Sequence, residues 1–174
     1  MVYVAETATV ENTVTILDDA QVEGHAVVKG QAWIAGRVVI KDHAIVTWGS
    51  LKASVSVSGH AVVTNCWVYD NVCISGNVVV GGCNLLDNVR IYGNAKVLRI
   101  ILRNNVHVFG NAVLDNTNVT PSGITITLAG SCKFGGNATF KGLNTPEDFI
   151  KKYGADKVEE LGGEIILTDV WDMG

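Results

Sequence analysis

Three histidines, His25, His43 and His60, recur at steps of 18 and then 17 residues. Imidazole takes up and releases protons near neutral pH, so a regular set of histidines offers a general base, a metal ligand or a seat for an acidic ligand. They are the candidate catalytic residues of the chain. The same column runs on in 17-residue steps as Asn77, Asn94 and Asn111, so imidazoles pass into amides without a break. Stacked histidines hold a metal only where their rings converge. The chain has no two histidines close in sequence and no Cys/His spacing of a zinc module, so no metal centre is expected. One reading covers both halves of the column: a repeated corner whose side chain hydrogen-bonds local backbone, which Asn and His both do. A second amide column, Asn71, Asn88 and Asn105, supports it.

Two other sets of residues carry recognition chemistry. Trp33, Trp67 and Tyr69 fall at outward places of one face, with Trp48 at a nearby corner; such rings stack on a planar ligand, a base or a sugar, or pack against a neighbouring subunit. Arg90, Tyr92 and His107 stand at the variable places of three near-copies of one phrase, VCISGN, VRIYGN and VHVFGN. Together these six are the candidate ligand-binding residues. A third set is apolar: Val27, Ile45, Val62, Val79 and Val113 share one outward column that only Lys96 interrupts, and a contiguous exposed apolar row marks a contact face.

Such columns require an element that repeats. The three phrases begin at Val72, Val89 and Val106, and from Ala8 the chain reads as hexads: ATVENT, VTILDD, AQVEGH, AVVKGQ, AWIAGR, VVIKDH. A fixed period of this kind is the signature of a solenoid. The first place of each hexad holds Ala or Val and the third Val or Ile. Two inward side chains two residues apart describe a very short strand, because strand side chains alternate faces. The fifth place holds Asn, Asp or Gly, the residues that tolerate left-handed backbone at a corner. Three sides of six residues make a triangular turn of about 18 residues, and a step of 17 is that turn with one corner shortened. The coils are Val14 to Gln31, Ala32 to Trp48, Gly49 to Asn65, Cys66 to Gly82, Cys83 to Arg99 and Ile100 to Thr117. Within GSLKAS, the least regular stretch, Leu51 and Ala53 are the expected inward pair.

After Thr117 the rhythm loosens through NVTPSGIT and returns in ITLAGS, CKFGGN and ATFKGL, ending near Leu143. Thr145-Pro146-Glu147-Asp148 is a helix start, with a hydroxyl cap, a first-turn proline and acids facing the helix dipole. Helices are expected from about Pro146 to Tyr153 and Ala155 to Leu161, then a strand from Glu164 to Trp171. The expected fold is an all-β, single-stranded parallel β-helix over residues 1–143, with a short α/β C-terminal cap over residues 144–174.

A net charge of −4 and a pI near 5.5 give no basic field for a phosphate backbone, so no nucleic-acid partner is expected. No apolar run approaches the roughly 18 residues that span a bilayer, and no basic region precedes an apolar run, so a cytoplasmic protein without a membrane partner is expected. Cys66 and Cys83 occupy equivalent places one turn apart; buried free thiols are the expectation, with a disulfide the other possibility.

The in-phase Ala/Val, Val/Ile and Gly/Asp/Asn places from Val2 to Leu143 resemble the hexapeptide-repeat proteins, best known from bacterial acyltransferases. The small residue comes two places after the aliphatic, as in Ile91-Tyr92-Gly93-Asn94, and this is similar to the degenerate GNAxVxGN repeat proteins of bacteria and phages. The resemblance implies a left-handed winding and a homotrimer with parallel axes, here buried along the Val27 column. It also implies, for an acyltransferase, a coenzyme A thioester and a histidine base. That family throws a loop out of the helix to build its site, and no insertion interrupts Val14 to Thr117. The expected function is therefore a non-catalytic trimeric β-solenoid, a scaffold or binding module with no cofactor. An acyltransferase is the first alternative. A protein that sequesters a small molecule, a nucleotide or metabolite, between subunits is the second.

Overall fold

A computed structural model of the chain describes residues 1–115 throughout and, beyond them, the backbone strands Ile124–Gly130, Lys133–Phe134, Thr139–Lys141 and Gly163–Asp169. The described residues form an all-β parallel solenoid without a helix. Each hexad yields a strand of two or three residues before a corner turns the chain, and each strand lies on its counterpart one coil earlier. On the second face the register runs Tyr3, Gln21, Val39, Ser56, Cys73, Arg90, His107 and Lys133, always in parallel. The third face stacks Thr9, Val27, Ile45, Val62, Val79, Lys96, Val113 and Thr139. The first face stacks Thr15, Trp33, Ser50, Trp67, Asn84 and Ile101.

The core is one column of aliphatic side chains, and every fully buried residue from Ala20 to Leu114 occupies the first or third place of its hexad. Alanine, valine and cysteine fill most of the narrow first places, whereas Ile34, Ile40, Leu51, Ile74, Leu85, Ile91, Leu102 and Leu114 are among the larger third-place residues. Each buried aliphatic contributes about 1.5–3 kcal/mol before chain entropy is subtracted, which is how a chain with few aromatics fills its interior.

Corners fall in three columns. Gly24, Asp42, Gly59, Gly76, Gly93 and Gly110 follow the second face, and Asp18, Gly36, Ala53, Asp70, Asp87 and Asn104 follow the first, all at positive φ. The shortened corner uses Gly30, Trp48, Asn65, Gly82 and Arg99, and there three longer strands, Val27–Gly36, Ile45–Ala53 and Val62–Val68, run from the third face into the first. The expected pairing of Leu51 with Ala53 is corrected in one member. Leu51 is buried, but Ala53 is an exposed corner residue with φ 68, and Gly49 takes the small inward place in register with Ala32 and Cys66. A Cβ at Gly49 would lie 2.2 Å from the Cys66 carbonyl oxygen, so this rung excludes even alanine there.

The step from Ile101 to its partner Thr127 takes 26 residues, and the chain still returns in register on all three faces. The rhythm legible in ITLAGS, CKFGGN and ATFKGL is thus a further turn. The expected C-terminal strand is present as Gly163–Asp169, antiparallel to Ile124–Gly130. The helices expected within 146–161 and the domain boundary at residue 143 lie outside the described residues. Among the described residues no helix is long and apolar enough to cross a membrane.

Candidate functional site

His25, His43 and His60 stack along the corner between the second and third faces, exposed to solvent. Their ring centroids are 5.2 and 5.0 Å apart and their planes within 11° and 3° of parallel. Rings stacked face to face carry their in-plane nitrogens side by side, so the three do not converge on a common point. Among the described residues no group of three or more His, Cys, Asp or Glu is placed to hold a metal ion.

The amide half of the column differs from the local-backbone expectation. Asn77 Nδ2 donates to Asn94 Oδ1 at 3.2 Å and Asn94 Nδ2 to Asn111 Oδ1 at 3.1 Å, and Asn71 Nδ2 donates to Asn88 Oδ1 at 3.3 Å in the second column. These bonds run from rung to rung, because parallel register sets identical side chains about 4.8 Å apart, within reach of one another. Backbone is served instead by acids. Asp18, Asp42 and Asp87 accept the corner N–H of Gly36, Gly59 and Asn104 one turn later at 2.8, 2.9 and 3.1 Å, and Glu11 accepts that of Gly30 at 2.8 Å.

The six ligand-binding candidates divide between two faces. Arg90 and His107 are register neighbours on the second face, beside Tyr92, which stacks on Phe109 with centroids 5.4 Å apart. Trp33, Trp67 and Tyr69 lie on the first face, on a different sheet.

On the first face the structure adds two residues that the sequence reading missed, Ser50 and Lys52. Trp33 and Trp67 are 46% and 47% exposed and flank Ser50 in register. Ser50 points outward yet is only 9% exposed, and its hydroxyl has no hydrogen-bond partner. The Lys52 ammonium lies 5.7 Å from the ring centre of Trp33 and 5.8 Å from that of Tyr69, a cation held between two π faces. Trp48 packs its indole against Gly30, where an added Cβ would meet the ring at 2.9 Å. The outward places of GSLKAS were the available signal, hidden by the irregular phase of that hexad.

The third face carries the apolar column. Val79 is 42% exposed, and Val27, Ile45, Val62 and Val113 are half-buried by their flanking residues. Lys96, the interruption, places its ammonium 3.7 Å from the carboxylate of Asp115 on the next rung. Inside the prism, Cys66 and Cys83 are free thiols donating to the carbonyls of Thr64 and Gly81 at 3.2 Å. Burial pushes the Cys83 thiol well above its ordinary pKa, so it stays protonated and behaves as a small apolar filler. No protein-family model matches the chain, and no curated protein matches it significantly.

Proposed function

We propose that the chain is a non-catalytic β-solenoid that works as a rigid scaffold or binding module, assembled as a homotrimer through its third face, with the left-handed winding of the hexapeptide-repeat proteins that its sequence resembles. The observation that carries the reading is the outward column Val27, Ile45, Val62, Val79 and Val113. From Val27 to Val113 it spans six rungs, about 24 Å along the axis. A flat column of that length, with its one lysine paired to Asp115, suits burial against copies of itself better than exposure to water. Stacked rather than convergent imidazoles favour a structural part for the histidines. Light scattering on the intact chain tests the assembly. The wild type is expected to give three times the chain mass. Val79→Arg, which sets a charge at the most exposed point of the column, is expected to give monomer with unchanged β-sheet dichroism. A wild type that stays monomeric at all concentrations would sink the reading.

A further inference from the structure

The histidine column borders the apolar third face. His25, His43 and His60 stand two residues ahead of Val27, Ile45 and Val62 on three successive rungs, with the fully buried Ala26, Ala44 and Ala61 between them. Because each alanine points into the core, the residues on either side of it point out. The imidazoles therefore line one edge of the apolar column over its first three rungs, and Asn77, Asn94 and Asn111 line the same edge beside Val79, Lys96 and Val113. One half of the edge can take up protons and the other half cannot.

We propose that this edge makes assembly through the third face sensitive to pH: neutral imidazoles let the copies close, and protonated ones drive them apart. The inference rests on the trimer proposed for that face. Ring centroids lie 5.2 and 5.0 Å apart along the column, so a protonated column carries positive charges side by side. A three-fold axis parallel to the solenoid keeps each rung level with its copies, so the columns of three subunits gather their charge at the same three levels. Closing the face withdraws water from that edge, which costs the charges their hydration and strengthens the repulsion between them.

The groups around the column leave this change uncompensated. Charged residues at neighbouring places are Glu6 and Asp42 at the same corner, Glu23 and Lys41 just before it on the second face, and Lys29 beyond Val27 on the third. Imidazole is the side chain whose charge ordinarily changes between about pH 5 and 8, so these carboxylates and ammoniums keep theirs. Asp42 already accepts the N–H of Gly59 at 2.9 Å. Among the described residues none of the three rings has an ion-pair partner. Lys96, inside the apolar column, has one in Asp115 at 3.7 Å. The fixed charge of the column is paired, and the titratable charge beside it is not.

Light scattering on the chain as a function of concentration, at about pH 8 and about pH 5.5, tests the proposal. The concentration at which half the chains are assembled is expected to rise about tenfold or more at the lower pH, with unchanged β-sheet dichroism. A variant combining His25→Asn, His43→Asn and His60→Asn carries throughout the residue that the column itself uses on its later rungs. It is expected to fold and to assemble equally at both pH values. His107→Asn, on the second face, is expected to keep the pH dependence of the wild type. Wild-type assembly that is unchanged or tighter at the lower pH overturns this inference and leaves the trimer standing. An equal loss of assembly in the triple variant also overturns it, since the acid then acts elsewhere, and so does dissociation accompanied by loss of dichroism. A chain that is monomeric at both pH values removes the trimer and this inference together.

Discussion

A corner residue in this solenoid has two tasks, and aspartate performs both. Its backbone sits at positive φ, as in Asp18, Asp42 and Asp87, where a short polar side chain is tolerated. Its carboxylate then accepts the N–H of the corresponding corner one turn later. Glycine meets only the first need, which explains why the two alternate in one column without a change of fold. Asp42→Ala is expected to lower unfolding free energy by about 1 kcal/mol or somewhat more, from the lost acceptor for Gly59 N–H and the less tolerant backbone. Asp42→Gly, which relieves the φ, is expected to fall between alanine and wild type in the same urea titrations. Equal stability of all three proteins would show that the carboxylate contributes nothing.

At the scale of the strand, phase decides everything, since a slip of one residue turns the core outward. Val57 is fully buried and Ser58 is its partly exposed neighbour. Val57→Asp is therefore expected to destabilise by several kcal/mol through an unpaired buried carboxylate, and Ser58→Asp to be nearly neutral. Comparable losses for both would mean the registry is wrong. This layer was legible in the sequence because the first, third and fifth places each answer one physical demand and the demand recurs on every rung. The stretch Gly49 to Ser54 was misread in part. Its inward small residue is a glycine and its corner residue an alanine, reversing the usual types. Ser50 and Lys52 were missed for a related reason: a buried unpaired hydroxyl and a cation between two rings depend on which side chains become neighbours across coils. Composition at one place does not reveal that. The stacking of the histidines was legible, whereas the rung-to-rung direction of the asparagine bonds was not, because local and cross-coil partners are equally available to an amide until register is fixed.

The described coils form a prism whose three sides carry different surfaces: aromatic, mixed polar and apolar. Each side is a straight row at constant spacing, so any partner that reads one is measured against a ruler. The 26-residue step that returns to register on every face shows that the ruler survives a longer excursion of the chain.

The corner acids also give this ruler an arrow. In every pair the carboxylate belongs to the earlier turn and the N–H it accepts to the later one, from Glu11 with Gly30 to Asp87 with Asn104. A chain leaving the ribosome N-terminus first therefore finds each acceptor waiting before its donor is synthesised, so the order of translation and the order of clasping coincide. Protease protection of stalled nascent chains is expected to advance in steps of one coil from the N-terminal end. Protection that appears all at once on release would show that the arrow plays no part in assembly.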